Sequence, residues 1–209
     1  MRRTCLDRVT AGHFLSTCGF ILSGVHSDTG ELTILVEPQA GGWGAGVDKD
    51  GESGLVCIGD GETYIIPAEV CEQKYGIVVD QYALNPVDAG AGEFRGGLGL
   101  VRDYRILGEE GMFLTATFGR AKFPPWGVDG GHEGSPNYME VIRADGTRSA
   151  PFGKGARVHL RKGDVARLVT GTGGGWGDPR RRPRAKVSAD LREGYISQEA
   201  ARKTYGQNL

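Results

Sequence analysis

The sequence has few of the features that mark a metalloprotein, a nucleic-acid-binding protein or a membrane protein. Its four cysteines, Cys5, Cys18, Cys57 and Cys71, form no Cys-x-x-Cys pair, which argues against a zinc ribbon. The net charge of −1 leaves no basic excess to attract nucleic acid or a membrane surface. No apolar run reaches the length of a signal peptide or of a transmembrane helix. We therefore expect a cytoplasmic protein whose cysteines are free thiols.

Glycine is the residue in excess: it makes up 36 of the 209 residues, without the three-residue period of collagen. Hydrophobic residues (39%) and charged residues (24%) occur at the levels typical of a globular domain. Many glycines flank the three tryptophans, in loops at residues 41–45 around Trp43, 124–131 around Trp126 and 170–179 around Trp176. Because a tryptophan ring normally finds a burial site, we expect ordered loops held by a β framework.

Short segments of alternating polarity, separated by turn residues, predict a set of strands. The first two are joined by Ser27-Asp28-Thr29-Gly30, which is typical of a hairpin turn. The predicted strands cover residues 19–26, 31–37, 77–84, 100–106, 112–118, 138–143, 156–160 and 164–169. The loop at residues 46–62 has no periodicity and is expected to be long and ordered. The pattern predicts antiparallel sheets in a β-rich α+β fold.

Helices are predicted in two places. Residues 67–75 begin with a proline and are followed by Gly76, as in a short helix. Near the C-terminus, Ser188 and Ser197 are predicted to be N-caps, opening helices at residues 189–193 and 198–205. We therefore predict a β-rich domain over residues 1–179, followed by a basic linker and a short helical tail over residues 180–209.

The glycine-rich sequence at residues 171–175 could cradle a phosphate through its backbone amides. It matches neither the P-loop nor the dinucleotide fingerprint, because no Gly-Lys-Ser/Thr and no helix follows it. A structural or interface loop is the favoured interpretation. The basic run at residues 180–184 could be a solvated linker or could contact an acidic patch on a partner.

Several side chains could carry chemistry. His132 and Glu133 could serve as an acid/base pair or bind a metal, although a solvated loop pair is favoured. Arg95, flanked by glycine-rich sequence, is the best anion-binding candidate; the alternative is an ion pair with an aspartate or glutamate. Cys57 and Cys71 could be nucleophiles, but buried inert thiols are favoured. No self-contained catalytic set emerges from these residues.

Five motifs, in order, resemble the C-terminal region of the B-type subunits of the hydantoinase/oxoprolinase family. They are Gly41-Gly-Trp-Gly-Ala, Pro67-Ala-Glu-Val, the glycine-rich sequence 90–99, Phe123-Pro-Pro-Trp-Gly127, and Gly171-Thr-Gly-Gly-Gly-Trp-Gly-Asp-Pro179. The helical tail is similar too, at positions such as Val187, Asp190 and Tyr205. The family includes N-methylhydantoinase, 5-oxoprolinase, caprolactamase and the acetone and acetophenone carboxylases.

The resemblance implies a multi-subunit, ATP-dependent enzyme. An A-type subunit would bind ATP and activate a carbonyl oxygen by phosphorylation. The B-type subunit would complete the hydrolysis of a cyclic amide such as a hydantoin, oxoproline or a lactam, or the carboxylation of a ketone. ATP and a divalent metal are then expected on partner chains, with none bound by this chain. The partners implied are an A-type ATP-binding subunit and a chain supplying the N-terminal half of a B-type subunit.

Two departures from the family pattern matter. The N-terminal part of B-type subunits, which carries the family's His and Asp metal ligands, has no counterpart here. The Asn-rich run that precedes the first helix in the family is replaced by Asp60-Gly-Glu-Thr63. We therefore assign no catalytic or metal-binding residue, and we expect the chain to be inactive alone.

Competing functions remain open at this point: a cyclic amidohydrolase subunit, a ketone carboxylase subunit, or a non-catalytic assembly subunit of such a complex. The residues expected in substrate or interface loops are Trp43, Arg95, Trp126, His132, Glu133, Thr172 and Trp176.

Overall fold

A computed structural model describes residues 8–57, 59–61 and 63–208, so Cys5 and two positions of the 46–62 loop lie outside the described residues. The chain forms two antiparallel four-stranded sheets. The strands are β1 (Gly19–Val25), β2 (Leu32–Glu37), β3 (Ile77–Leu84), β4 (Leu100–Ile106), β5 (Met112–Thr117), β6 (Tyr138–Ile142), β7 (Lys154–Leu160) and β8 (Val165–Val169). The helices are α1 (Ala68–Tyr75), α2 (Arg184–Arg192) and α3 (Gln198–Lys203), with a 3-10 turn at Pro179–Arg181.

The first sheet has the order β2-β1-β5-β7 and the second has the order β3-β4-β8-β6. Alternate side chains of each sheet point into one shared core, where the rings of Phe20 and Tyr104 lie 5.0 Å apart. Every strand predicted from polarity is present, with bounds that agree within two residues, and the predicted fold class is confirmed. The hairpin turn ends at Gly30, whose φ of 70° suits a residue without a side chain.

The core also holds an ion pair that joins the two sheets. Glu37, at the end of β2, lies 2.8 Å from Arg102 of β4, and both side chains are almost fully buried. The Tyr104 hydroxyl donates to the same carboxylate at 2.7 Å. The backbone amide of Ile66 donates to its other oxygen at 2.6 Å. Burial, together with the charge of Glu37, raises the pKa of Tyr104 well above its ordinary value, so its hydroxyl stays protonated.

The C-terminal helices pack against the glycine-rich loop that precedes β4. Ala91 of that loop shares a small apolar cluster with Val187, Ile196, Ala201 and Tyr205. The Ser197 hydroxyl accepts from the amide of Ala200 at 3.0 Å, as predicted for an N-cap. Among the described residues, no helix is long and apolar enough to cross a bilayer.

The prediction that Ser188 caps a helix was wrong. Helix α2 begins at Arg184, directly after Pro183, and Ser188 lies in its middle. A serine is tolerated inside a helix, and a proline before the first helical residue is pre-organised for a helix start, so Pro183 marks the boundary. The basic run is likewise not simply a solvated linker, because Arg182 is 2% exposed.

Candidate functional site

The glycine-rich loops meet at one end of the sandwich and pack around residues 171–177. We call this assembly, formed by residues 11–14, 41–45, 90–97, 127–135 and 171–177, the glycine cluster. Its central segment forms no hydrogen bonds along itself but donates to surrounding segments: Gly173 to the carbonyl of Gly97 (2.8 Å), Gly174 to Gly12 (2.9 Å) and Gly175 to His132 (2.9 Å). Its carbonyls accept from the amides of Gly42, Gly90, Ala45 and Val128. The loops are thus held by a lateral network that satisfies buried backbone groups.

The glycines are required because these backbones touch. A Cβ added at Gly173, Gly174 or Gly175 would lie less than 3.0 Å from the backbone carbonyl oxygen of Trp43, Trp126 or Ala91, respectively. None of these three glycines has a positive φ, whereas Gly177 has a φ of 75°. Close approach, and not an unusual φ, therefore excludes side chains from the centre of the cluster.

The three tryptophans lie around the central segment 171–177, since the backbone carbonyls of Trp43 and Trp126 abut its consecutive glycines Gly173 and Gly174, and Trp176 belongs to it. The Trp43 indole donates to the carbonyl of Val56 at 3.0 Å. The backbone of Trp176 pairs with Phe94 and its ring lies 6.2 Å from the Phe94 ring. Trp126 is 50% exposed and is covered on one side by the guanidinium of Arg120, 4.6 Å from the ring. Trp126 is therefore the tryptophan most available to a partner or ligand.

Next to these tryptophans lies His13, to which the sequence assigned no role. Its ring is 4.8 Å from the ring of Trp43, and its Nδ1 accepts from the amide of Gly44 at 2.7 Å. Burial lowers the pKa of His13, and the charge of Arg120 lowers it further. The imidazole is therefore held neutral. No spacing motif could have shown it, because its partners come from distant loops.

Acidification should weaken the fold through His13. Its pKa in the folded chain is below the ordinary value of 6.5, so the unfolded chain binds more protons as the pH falls through 6.5. Stability should consequently decrease below that pH. The check is the melting temperature of the parent and of His13→Gln at about pH 7.5 and about pH 5.5. The parent should lose more on acidification than the variant does; His159→Gln, at an exposed histidine of β7, is the control. Equal losses in all three proteins would contradict this assignment.

Arg95 lies in a buried ion network and not in an open anion site. Its Nε donates to Asp190 of α2 at 3.0 Å, and its guanidinium lies 4.3 Å from the ring of Tyr195. The guanidinium of Arg182 lies 2.6 Å from the carboxylate of Asp190 and 2.7 Å from that of Asp50, and so links the two. Burial by itself would raise the pKa of Asp50, but the hydrogen bond and charge of Arg182 outweigh it and hold that pKa below its ordinary value. The network ties the C-terminal helices to the glycine cluster.

Removing the charge of Asp190 should loosen this attachment. In Asp190→Asn, two buried guanidinium groups lose their shared anion, at a cost of about 1–3 kcal/mol. We expect amide hydrogen exchange to accelerate in α2 and α3 before it does in the sheets. The matched control is Glu193→Gln, which affects only an exposed pair with Arg192. Uniform acceleration over the whole chain, or none, would show that the network does not anchor the helices.

The other predicted residues differ in accessibility. Thr172 is buried and its hydroxyl accepts from the amide of Ser135 at 2.8 Å. The side chains of His132 and Glu133 are exposed at the rim of a depression of about 160 Å³, beside Asp88 and Tyr205. Among the described residues, no group of three or more His, Cys, Asp or Glu side chains could hold a metal ion. Cys57 and Cys71 are buried and free.

The chain is therefore a two-sheet β-sandwich domain whose glycine-rich loops pack into a cluster at one end. It belongs to the hydantoinase B/oxoprolinase family, which it matches over residues 1–179. It is 30% identical to caprolactamase subunit beta of Pseudomonas jessenii over 84% of this chain and 31% of that subunit. It is 35% identical to an uncharacterized protein of Methanocaldococcus jannaschii, over 66% of this chain and 24% of that protein.

Solved structures share the fold. The ATP-dependent caprolactamase from Pseudomonas jessenii superposes with a TM-score of 0.82 at 27% identity, covering 97% of this chain and 36% of that one. An acetone carboxylase superposes with a TM-score of 0.76 at 20% identity, covering 98% of this chain and 31% of that one. The chain thus spans about a quarter to a third of the length of these relatives.

Proposed function

We propose that this chain is a subunit of an ATP-dependent cyclic amidohydrolase of the hydantoinase/oxoprolinase type, acting on a hydantoin, oxoproline or a lactam. The observation that carries the proposal is its likeness to the caprolactamase, which extends over 97% of the chain with a TM-score of 0.82 and 27% identity. The acetone carboxylase shares the fold at lower identity, 20%. A ketone carboxylase subunit is therefore the second candidate.

The arrangement of the site is consistent with a subunit that acts only within a larger complex. Thr172, Arg95 and the ring nitrogen of Trp43 are engaged in hydrogen bonds within the chain. The accessible candidates are Trp126 and the His132–Glu133 pair, which we propose face a partner or the substrate. We further propose that an A-type subunit binds ATP, that a divalent metal is held by the remainder of a B-type subunit, and that the chain alone is inactive.

The experiment is to co-express the chain with A-type and B-type chains of this family from the same organism, and to measure ATP hydrolysis by the purified complex. Caprolactam, hydantoin and 5-oxoproline test the amidohydrolase; acetone and acetophenone with bicarbonate test the carboxylase. Stimulation by a cyclic amide in the complex, with none in the isolated chain, is expected. Stimulation only by a ketone with bicarbonate would favour the second candidate, and turnover by the isolated chain would refute the subunit role.

Variants of the accessible residues distinguish a subunit that only holds the complex together from one that contributes to the reaction. Trp126→Ala and the double variant His132→Ala/Glu133→Ala should fold like the parent, because these side chains are exposed in the chain, and the assembly of each variant with the partner chains is measured first. If the assembled complexes also keep full ATP hydrolysis and amide turnover, the chain holds its partners together without contributing to the reaction. A fall in turnover with intact assembly would place these residues at the reaction site.

A further inference from the structure

The outer face of the first sheet carries an exposed apolar patch. Successive outward side chains of β2, namely Leu32, Ile34 and Val36, are 76%, 54% and 63% exposed. Ile21 of β1, which pairs with Val36, extends the patch across the sheet. We call these four residues the β1–β2 patch. Contiguous apolar patches of this kind mark interaction sites more often than isolated exposed residues do.

The outer face of the second sheet has a different character. It is covered by ion pairs between neighbouring strands, among them Arg167 with Asp103 at 2.6 Å and Arg105 with Asp80 at 2.8 Å. An antiparallel sheet with one solvated face normally has such polar side chains there. The β1–β2 patch has no charged side chain among its members. The contrast indicates that the β1–β2 patch, and not the second sheet, is covered in the functional assembly.

The patch also lies at a sheet edge, because β2 is one of the two outermost strands of the first sheet. Natural edge strands are usually protected by an outward charge, a proline or a bulge. Strand β2 reads Leu-Thr-Ile-Leu-Val-Glu, its only charged residue is the buried Glu37, and its pairing with β1 has no register shift. An apolar edge strand without an outward charge is unfavourable for a chain that stays alone.

A groove at one end of the patch links it to the glycine cluster. The groove has a volume of about 460 Å³ and is lined mainly by apolar atoms, including those of Ile21, Val36 and Pro38. Pro38 leads within two residues to Ala40, whose carbonyl accepts from the Thr170 hydroxyl at 2.7 Å. The groove therefore borders the chain segment that leads from β2 into the glycine cluster.

The length of the relatives indicates what covers the patch. This domain is 36% of the caprolactamase chain, so most of that chain lies outside it. We propose that the β1–β2 patch is the surface on which the remainder of a B-type subunit packs, through a complementary apolar face. The inference rests on the proposed function and adds the location of the interface.

The test measures binding of this chain to the polypeptide from the same organism that supplies the remainder of a B-type subunit, purified separately with its own tag. Ile34→Glu should weaken binding by at least about tenfold, because a charge would be buried without a partner. Leu84→Glu is the matched control, since Leu84 is 43% exposed on β3, an edge strand of the second sheet. Its binding should stay within about twofold of the parent.

A second measurement is independent of any substitution. Addition of the same polypeptide to the unmodified chain should slow amide exchange in β2 and leave β3 unchanged. If Ile34→Glu binds like the parent and β2 gains no protection, the location is wrong although the subunit role stands. If the unmodified chain does not bind that polypeptide, the proposed function itself fails. A dimer of this chain that Ile34→Glu dissociates would instead assign the patch to a second copy and overturn the inference.

Discussion

Gly174→Ala should lower the melting temperature by about 6–12 °C, the result of a loss of about 3 kcal/mol in a chain of this size. The added Cβ would lie less than 3.0 Å from the carbonyl oxygen of Trp126 and its carbon. Neither backbone can move freely, because Gly174 donates to Gly12 and accepts from Ala45, and the carbonyl of Trp126 accepts from the amide of Gly12. The added Cβ belongs to the position of Gly174 and the atoms it meets are backbone atoms of Trp126, so no side-chain rotation relieves the clash.

Two glycines outside the cluster serve as controls for this measurement. At Gly146, with a φ of 87° and nothing within 4 Å of an added Cβ, alanine should cost only the strain of positive φ, about 1 kcal/mol. At Gly61, which has open space and no positive φ, alanine should be neutral. If Gly174→Ala melts within about 2 °C of the Gly61→Ala protein, the cluster is not the tightly packed structure described above.

Glu37→Ala should also destabilise the fold strongly, by about 3–5 kcal/mol, because it leaves the buried guanidinium of Arg102 without its counter-ion. It also removes the acceptor used by Tyr104 and by the amide of Ile66. The measurement is the free energy of unfolding from denaturant titration. The double variant Glu37→Leu/Arg102→Met, which replaces both charges by apolar side chains, should recover part of the loss.

The control for the core pair is a pair of the same chemistry at the surface. Asp80→Ala removes the partner of Arg105, whose side chain is 42% exposed, and should change stability by less than about 1 kcal/mol. Similar losses in Glu37→Ala and Asp80→Ala would mean that water reaches the core pair.

The strands were predictable because their signals are local. The alternation of polar and apolar residues between turn residues can be seen in neighbouring positions of the sequence. The bounds of β3 and β4 therefore agree with the prediction. The start of α2 was missed because Ser188 is a plausible cap by composition, whereas Pro183 sets the boundary. The family resemblance depended on the order of motifs and not on any one residue.

The interior of the candidate site could not be predicted in the same way. Glu37 ends a strand like any solvated glutamate, and only the packing of the second sheet brings Arg102 to it. Arg95 could equally have bound an anion, and its partner Asp190 lies in a helix 95 residues later. His13 became relevant only when the loops carrying Gly44 and Arg120 closed around it. Such long-range pairs leave no local pattern.

The position of the central glycine segment in the chain has a consequence for synthesis. Residues 171–177 supply partners for amides and carbonyls of Gly12, Gly42 and Gly97, and Thr170 reaches Ala40 across 130 residues. Contacts of such sequence separation form late, because a long loop must close before they are gained. During translation the first glycine loops therefore emerge from the ribosome with their backbone groups still bonded to water. Their backbone groups find these protein partners only after β8 and the following residues 171–177 have been synthesised, and the glycine cluster is completed at that point.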